Sequence, residues 1–287
     1  MGLHWIYDVS EIKRILGRDA EHPEFFKPPS CPFYKYASGS LSPYGDEVRP
    51  LLTSMCDAGG LDAAQFTDAS YAFFSAYKGR LNHVPKQLVT NIKGGAAWPN
   101  AAVQDDQAHG LVKVPVLVAR YAGLPELPSK VEEAIRAHQI GTEAVATGLA
   151  AAYILERVVA LGWSVKESIE WAAQAGHLAR HVQSLVADSL SHQNMDVTDA
   201  VLRFGQSCHL PGSFQAPLQC ALKAESYTDA VRRNILAGGD NCSRSILIGA
   251  LLAAQNGLEA IPDTWKDKTD SYHELEALVD QLLAQRP

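Results

Sequence analysis

In this 287-residue chain the string with the clearest capacity for chemistry is Gly238-Gly239-Asp240-Asn241-Cys242-Ser243. Paired glycines ahead of an apolar helix bring backbone N–H groups and the positive end of the helix dipole toward a ligand. The Asp240 carboxylate and the Ser243 hydroxyl are oxygens that a hard cation accepts. A helix break followed by an N-cap accounts for the same residues with no ligand at all, Asp240 or Ser243 being the cap. Tyr44-Gly45-Asp46-Glu47 sets two carboxylates at another helix start, where the dipole favours them whether or not they act. Gln104-Asp105-Asp106-Gln107-Ala108-His109 offers a pair of Asp residues that could bind metal, act as a base, or simply open a solvated helix. His177 and His181 stand at i, i+4, a spacing that could hold zinc. However, Leu178 sits where the HExxH pattern requires Glu. Cys242, near a helix N-terminus, is either a nucleophile of lowered pKa or a small buried residue.

The elements that must position these residues read as helices. Residues 1–45 are irregular: Pro23, Pro28, Pro29, Pro32 and Pro43 interrupt a stretch dense in Phe25, Phe26, Phe33, Tyr34, Tyr36 and Tyr44, with a short helix near Glu11–Leu16. From Asp46, Val48, Leu51, Leu52 and Met55 recur at helical spacing until Gly59-Gly60. Asp62–Tyr77 is a second helix, 92–110 an ordered loop, and Leu111–Tyr121 a third helix. Ser129 with Glu132 forms a capping-box pattern for a helix through His138. Thr142–Leu161 is apolar nearly all round, which places it in a core. Ser164–Leu190 opens with a second capping box, Ser164 to Glu167. Further helices fit Val197–Phe204, Phe214–Ala224, Thr228–Leu236, Ser243–Gln255 and Tyr272–Gln285. No run alternates at period two, so the expected class is all-α: one domain over residues 1–287, an orthogonal bundle of many helices.

Composition narrows the function. With 25 basic against 32 acidic residues the formal charge is -7, and no Lys/Arg run is present to neutralise phosphates, which argues against nucleic acid. Five scattered cysteines without a CxxC pair suggest reduced thiols and a cytoplasmic protein. The longest charge-free apolar stretches, Ala144–Leu155 and Ser245–Leu258, fall short of the roughly 18 to 20 residues of a spanning helix. A monomer with no membrane partner is expected.

The segment from Ser226 to Lys268 resembles the C-terminal signature of the ADP-ribosylglycohydrolase superfamily. That signature is an amphipathic helix, GGDTDT, an Ala/Gly-rich helix and YGxxxIPxxW. Ala237-Gly238-Gly239-Asp240, Gly249-Ala250, Gly257–Pro262 and Trp265 carry the likeness here. Ala137-His138-Gln139 resembles the TH element of the family, and Val114-Pro115 with Tyr121-Ala122-Gly123 its middle helix. Leu3–Asp8 and Gly238–Ser243 together look most like the J-type crystallins of jellyfish lenses and a fish selenoprotein related to them. The resemblance covers essentially the whole chain. It implies an all-α fold and two Mg²⁺ ions that polarise ribose hydroxyls and position a water to cut an ADP-ribosyl bond. It points to Asp46 and Glu47 as catalytic, and to Asp46, Asp240 and Ser243 as metal ligands. Gln107, His138, Gly238 and Gly239 would hold the substrate, an ADP-ribosylated protein or an ADP-ribose-like nucleotide.

The departures from that pattern are equally specific. Tyr44-Gly45 replaces the first Thr and Asp of T-D-D-T, and Cys242 replaces the second Asp of D-x-D-[TS]. A thiol is a poor Mg²⁺ ligand. The acidic residue that ends the first motif of many members falls near His4, and the Asn of NGAA falls on Gln107. The chain is expected to start just after the first helix of the family. The combined expectation is an eroded two-metal site with hydrolysis weak or lost. The alternatives are a structural, crystallin-like protein and a non-catalytic binder of an ADP-ribose-like nucleotide.

Overall fold

The computed structural model describes residues 2–33 and 35–286; Tyr34, read above as part of the irregular aromatic stretch, lies outside the described residues. The chain runs through α1 (Val9–Leu16), α2 (Pro43–Asp46), α3 (Val48–Ala58), α4 (Ala63–Ala76), α5 (His83–Lys93), α6 (Val114–Tyr121), α7 (Leu127–Arg136) and α8 (Thr142–Leu161). It continues through α9 (Val165–Ala172), α10 (Arg180–Ser191), α11 (Val197–Phe204), α12 (Gly212–Lys223), α13 (Tyr227–Leu236), α14 (Asn241–Asn256), α15 (Asp263–Lys268) and α16 (Tyr272–Ala284). Among the described residues there is no strand, only isolated bridges such as Ile6 with Gly239 and Gln107 with His209. The expected all-α class is observed.

α8 is the axis of the packing. Its small residues Ala144, Gly148, Ala150, Ala151 and Ala152 are buried and let α6, α7, α9 and α14 approach closely. At Gly148 a methyl group would run into the Cδ1 tip of Ile135, so a larger residue there would have to push that side chain of α7 aside. By length and composition α8 could cross a bilayer, contrary to the sequence expectation. In this fold 56% of its most apolar window is buried by its neighbours, as in a core helix. One apolar core extends from Leu51 to Leu282, so sequence-distant helices share it.

Three local expectations change. The α7 helix begins one turn early, at Leu127. Pro128 in its first turn lacks only an N–H that a helix start leaves unused. Ser129 is therefore inside the helix, donating to the Glu126 carbonyl at 2.8 Å, rather than capping it. The segment Ser164–Leu190 is two helices. Its capping box is present at Ser164 and Glu167, but the chain breaks after Ala172. Gln183 Nε2 donates to the carbonyls of Ala175 and Leu178 at 3.0 and 2.8 Å, so the break leaves them satisfied. His177 lies in this break, its ring 4.7 Å from Tyr153 and 5.1 Å from Trp171, while His181 faces Glu143 at 3.1 Å. The two histidines are thus not partners on one helix face. The third change is α5 and α15, two helices not anticipated from the sequence.

Candidate functional site: a closed junction of three helix starts

Ser42 accepts the Gly45 N–H at 3.1 Å and Pro43 fixes the first turn, so α2 starts at a defined point against α14. Tyr44 is buried there. Its hydroxyl donates to Gln107 Oε1 at 3.3 Å, its ring is 5.0 Å from His109, and the Cys208 thiol reaches the same Gln107 oxygen at 3.1 Å. The start of α2, the segment 107–113 and the N-terminus of α14 thereby meet.

The neighbouring carboxylates Asp46 and Glu47, at the end of α2, do not act together. Successive helical side chains diverge by about 100°, so Asp46 and Glu47 face different environments. Tyr77 donates to Asp46 Oδ2 at 2.5 Å on the outer side, in a cavity of about 250 Å³ lined also by Tyr36, Arg49 and Asp270. Burial raises the Asp46 carboxyl above its usual range, and the Tyr77 hydrogen bond and the Arg49 charge oppose this. Glu47 turns inward and is fully buried. Its oxygens lie 2.7 and 3.0 Å from His109 Nδ1, and one is 3.9 Å from Lys113 Nζ. Lys113 in turn donates to the His109 carbonyl at 2.6 Å.

Asp240 caps α14, accepting the Ser243 N–H at 3.1 Å, while Ser243 Oγ donates to the Asp240 carbonyl at 3.1 Å. Gly238 and Gly239 take left-handed φ angles of 69° and 64°. The turn they make does not leave amides open to an anion. Gly238 N–H donates to Ile235 O, Gly239 N–H to Ile6 O at 2.8 Å, and Asp240 N–H to Gln206 O at 2.7 Å. The N-terminal segment lies across this turn. Trp5 N–H donates to Gly239 O at 2.9 Å, Asn241 Nδ2 donates to Leu3 O at 2.7 Å, and His4 Nδ1 meets Asn241 Oδ1 at 2.9 Å. His4 Nε2 stands 3.8 Å from Asp240 Oδ1, where the family pattern puts an acidic residue. Burial lowers the His4 pKa below its usual value, so the ring is neutral near pH 7.

His138, the remaining expected substrate contact, is fully buried. It stacks on Phe66 at 4.5 Å and meets Ser70 Oγ at 2.9 Å, and burial pushes it well below the usual range. Cys242 is partly buried and its thiol is pushed up to about 12 by burial, the opposite of an activated nucleophile.

The donor set does not fit two Mg²⁺ ions. Asp240 Oδ2 is one buried oxygen without a hydrogen-bond partner among the described residues. Glu47 is held by His109 and Lys113 and Asp46 by Tyr77, and no group of three His, Cys, Asp or Glu side chains among the described residues could hold a metal. Lys113 and Arg244 were not singled out from the sequence. The signal was a lone basic residue in a stretch otherwise suited to burial, Leu111-Val112-Lys113-Val114 and Ser243-Arg244-Ser245-Ile246. A charge in such a place is buried only when it is paired.

An all-α core carrying a glycine-rich turn and Asp at the N-terminus of an apolar helix, packed against a second acidic helix start, defines the class. The sequence model of the ADP-ribosylglycohydrolase family matches residues 1–287, and the chain belongs to that family. It is 27% identical over 308 residues to crystallin J1A of Tripedalia cystophora, covering 98% of this chain and 90% of that protein. Crystallin J1B of the same organism is 26% identical over 297 residues, with the same coverage. A solved structure titled ADP-ribosylglycohydrolase-related protein complex superposes with a TM-score of 0.72 at 20% identity, over 88% of this chain and 83% of that one.

Proposed function

We propose that this chain is a J-crystallin-like member of the family that keeps the glycohydrolase fold and has given up two-metal hydrolysis of ADP-ribosyl bonds. On this reading it serves as a stable cytoplasmic protein. One observation carries it: the turn that would cradle an anionic ligand has its Gly239 and Asp240 amides bonded inside the protein, under residues 3–6. Asp240 is fully buried beneath the same segment. The glycohydrolase chemistry implied by the family needs oxygen ligands open to metal and substrate. Five scattered cysteines without a CxxC pair favour a reducing compartment. The test is release of ADP-ribose from a modified protein, with and without Mg²⁺, by the wild type and Asp240→Ala. The expected result is background release in every arm. Mg²⁺-dependent release abolished by Asp240→Ala would refute the proposal.

A further inference from the structure

The least explained feature of the junction is a set of fully buried charged and titratable groups inside the core. Glu47, His109 and Lys113 each have no exposed surface. Isolated, the Glu47 carboxylate would be very costly there. It is compensated at short range by His109 Nδ1 at 2.7 Å and by Lys113 Nζ at 3.9 Å. Lys113 is itself anchored, donating to the His109 carbonyl one helical turn earlier at 2.6 Å. The ammonium thus has a fixed position beside the carboxylate. His138 and Ser70 close the far side of the cluster, and Tyr44 closes the near side against His109.

We infer that Lys113 is the resident cation of this junction, held beside the buried Glu47 carboxylate, and that it makes the folded chain independent of divalent ions. The inference deepens the reading above but fails separately from it. Hydrolysis tests that reading, whereas charge coupling and ion dependence test this one. The physical case is electrostatic. A divalent ion approaching Glu47 would meet a fixed positive charge within about 4 Å of the same carboxylate, in a low-dielectric core where repulsion is strong. On the Asp240 side the same principle recurs with Arg244. That guanidinium is fully buried four residues along α14 and is held by Asn234 Oδ1 at 2.7 Å, by Gln206 O at 3.1 Å and by the Gly238 carbonyl.

The experiment is thermal denaturation of the whole chain in 5 mM EDTA and in 5 mM MgCl₂, for wild type, Lys113→Met, Glu47→Gln and the double variant. Wild-type Tm is expected to agree within about 1 °C in the two buffers. Lys113→Met should lower Tm by roughly 6–10 °C, because it leaves a buried carboxylate short of a partner. Adding Glu47→Gln should recover at least half of that loss. A saturable rise of wild-type Tm with Mg²⁺ would overturn the inference. So would a double variant no more stable than Lys113→Met. If Lys113→Met does not fold, the wild-type comparison still decides ion dependence, and folding of the double variant alone would show the coupling.

Discussion

Replacing Gly239 by Ala perturbs the turn at one atom, and its cost can be built from the geometry. Gly239 has φ +64°, where a side chain costs about 1–2 kcal/mol. Its new methyl group would lie 2.2 Å from the Gln206 carbonyl oxygen and 2.9 Å from its carbonyl carbon, so backbone must move. That carbonyl accepts from Asp240 N–H at 2.7 Å and from Arg244 Nη1 at 3.1 Å. Disturbing two buried hydrogen bonds adds about 1–3 kcal/mol, the Arg244 bond being charge-assisted. Together the expected loss is roughly 2–5 kcal/mol, or about 4–10 °C in Tm. Gly17→Ala is the internal control. Its φ is +53° but nothing lies within 4 Å of the added methyl, so only the conformational cost of about 1–2 kcal/mol applies. Urea titration of both variants, compared at unchanged m-value, measures the difference. If Gly239→Ala costs no more than Gly17→Ala, the turn is not locked to Gln206 and its amides are free for a ligand.

Two further outcomes follow from named contacts. Ser164→Ala removes the Ser164 Oγ that accepts the Glu167 N–H at the start of α9, leaving the Ser164 N–H bond to Glu167, and should cost about 1 kcal/mol in urea denaturation. Burial lowers the Lys113 ammonium from 10.5 to about 8, against the opposing pull of Glu47. Below pH 8 both folded and unfolded chains hold this proton, and the full burial penalty is present. Between about pH 8 and 10.5 the unfolded chain binds the proton that the folded chain has released. Wild-type stability relative to Lys113→Met should therefore rise across that window, by on the order of 3 kcal/mol, in pH-dependent denaturation. A flat or falling difference would contradict it.

The burial penalty on Lys113 also explains why the buried pair is no source of net stability. Desolvation outweighs the Glu47 attraction, so replacing both charges by neutral groups is expected to be tolerated better than replacing one. The pair decides which charges the junction accepts more than how stable the fold is.

The sequence by itself determined the helical class, because apolar spacing and glycine stops are local signals. Thr142–Leu161 and Val197–Phe204 match the observed helices residue for residue. The capping box at Ser164 and the Asp240 cap were equally legible, since each closes within three residues. The family motifs also located the three segments that meet at the junction. Only the tertiary structure decided what those segments do. Asp46 and Glu47 are adjacent in sequence, yet one faces Tyr77 and the other Lys113, because helix rotation separates neighbours and each meets partners distant in the chain. The Gly238-Gly239 turn looked like an anion cradle. It is closed by a contact to Ile6, 233 residues away, which no local pattern could reveal.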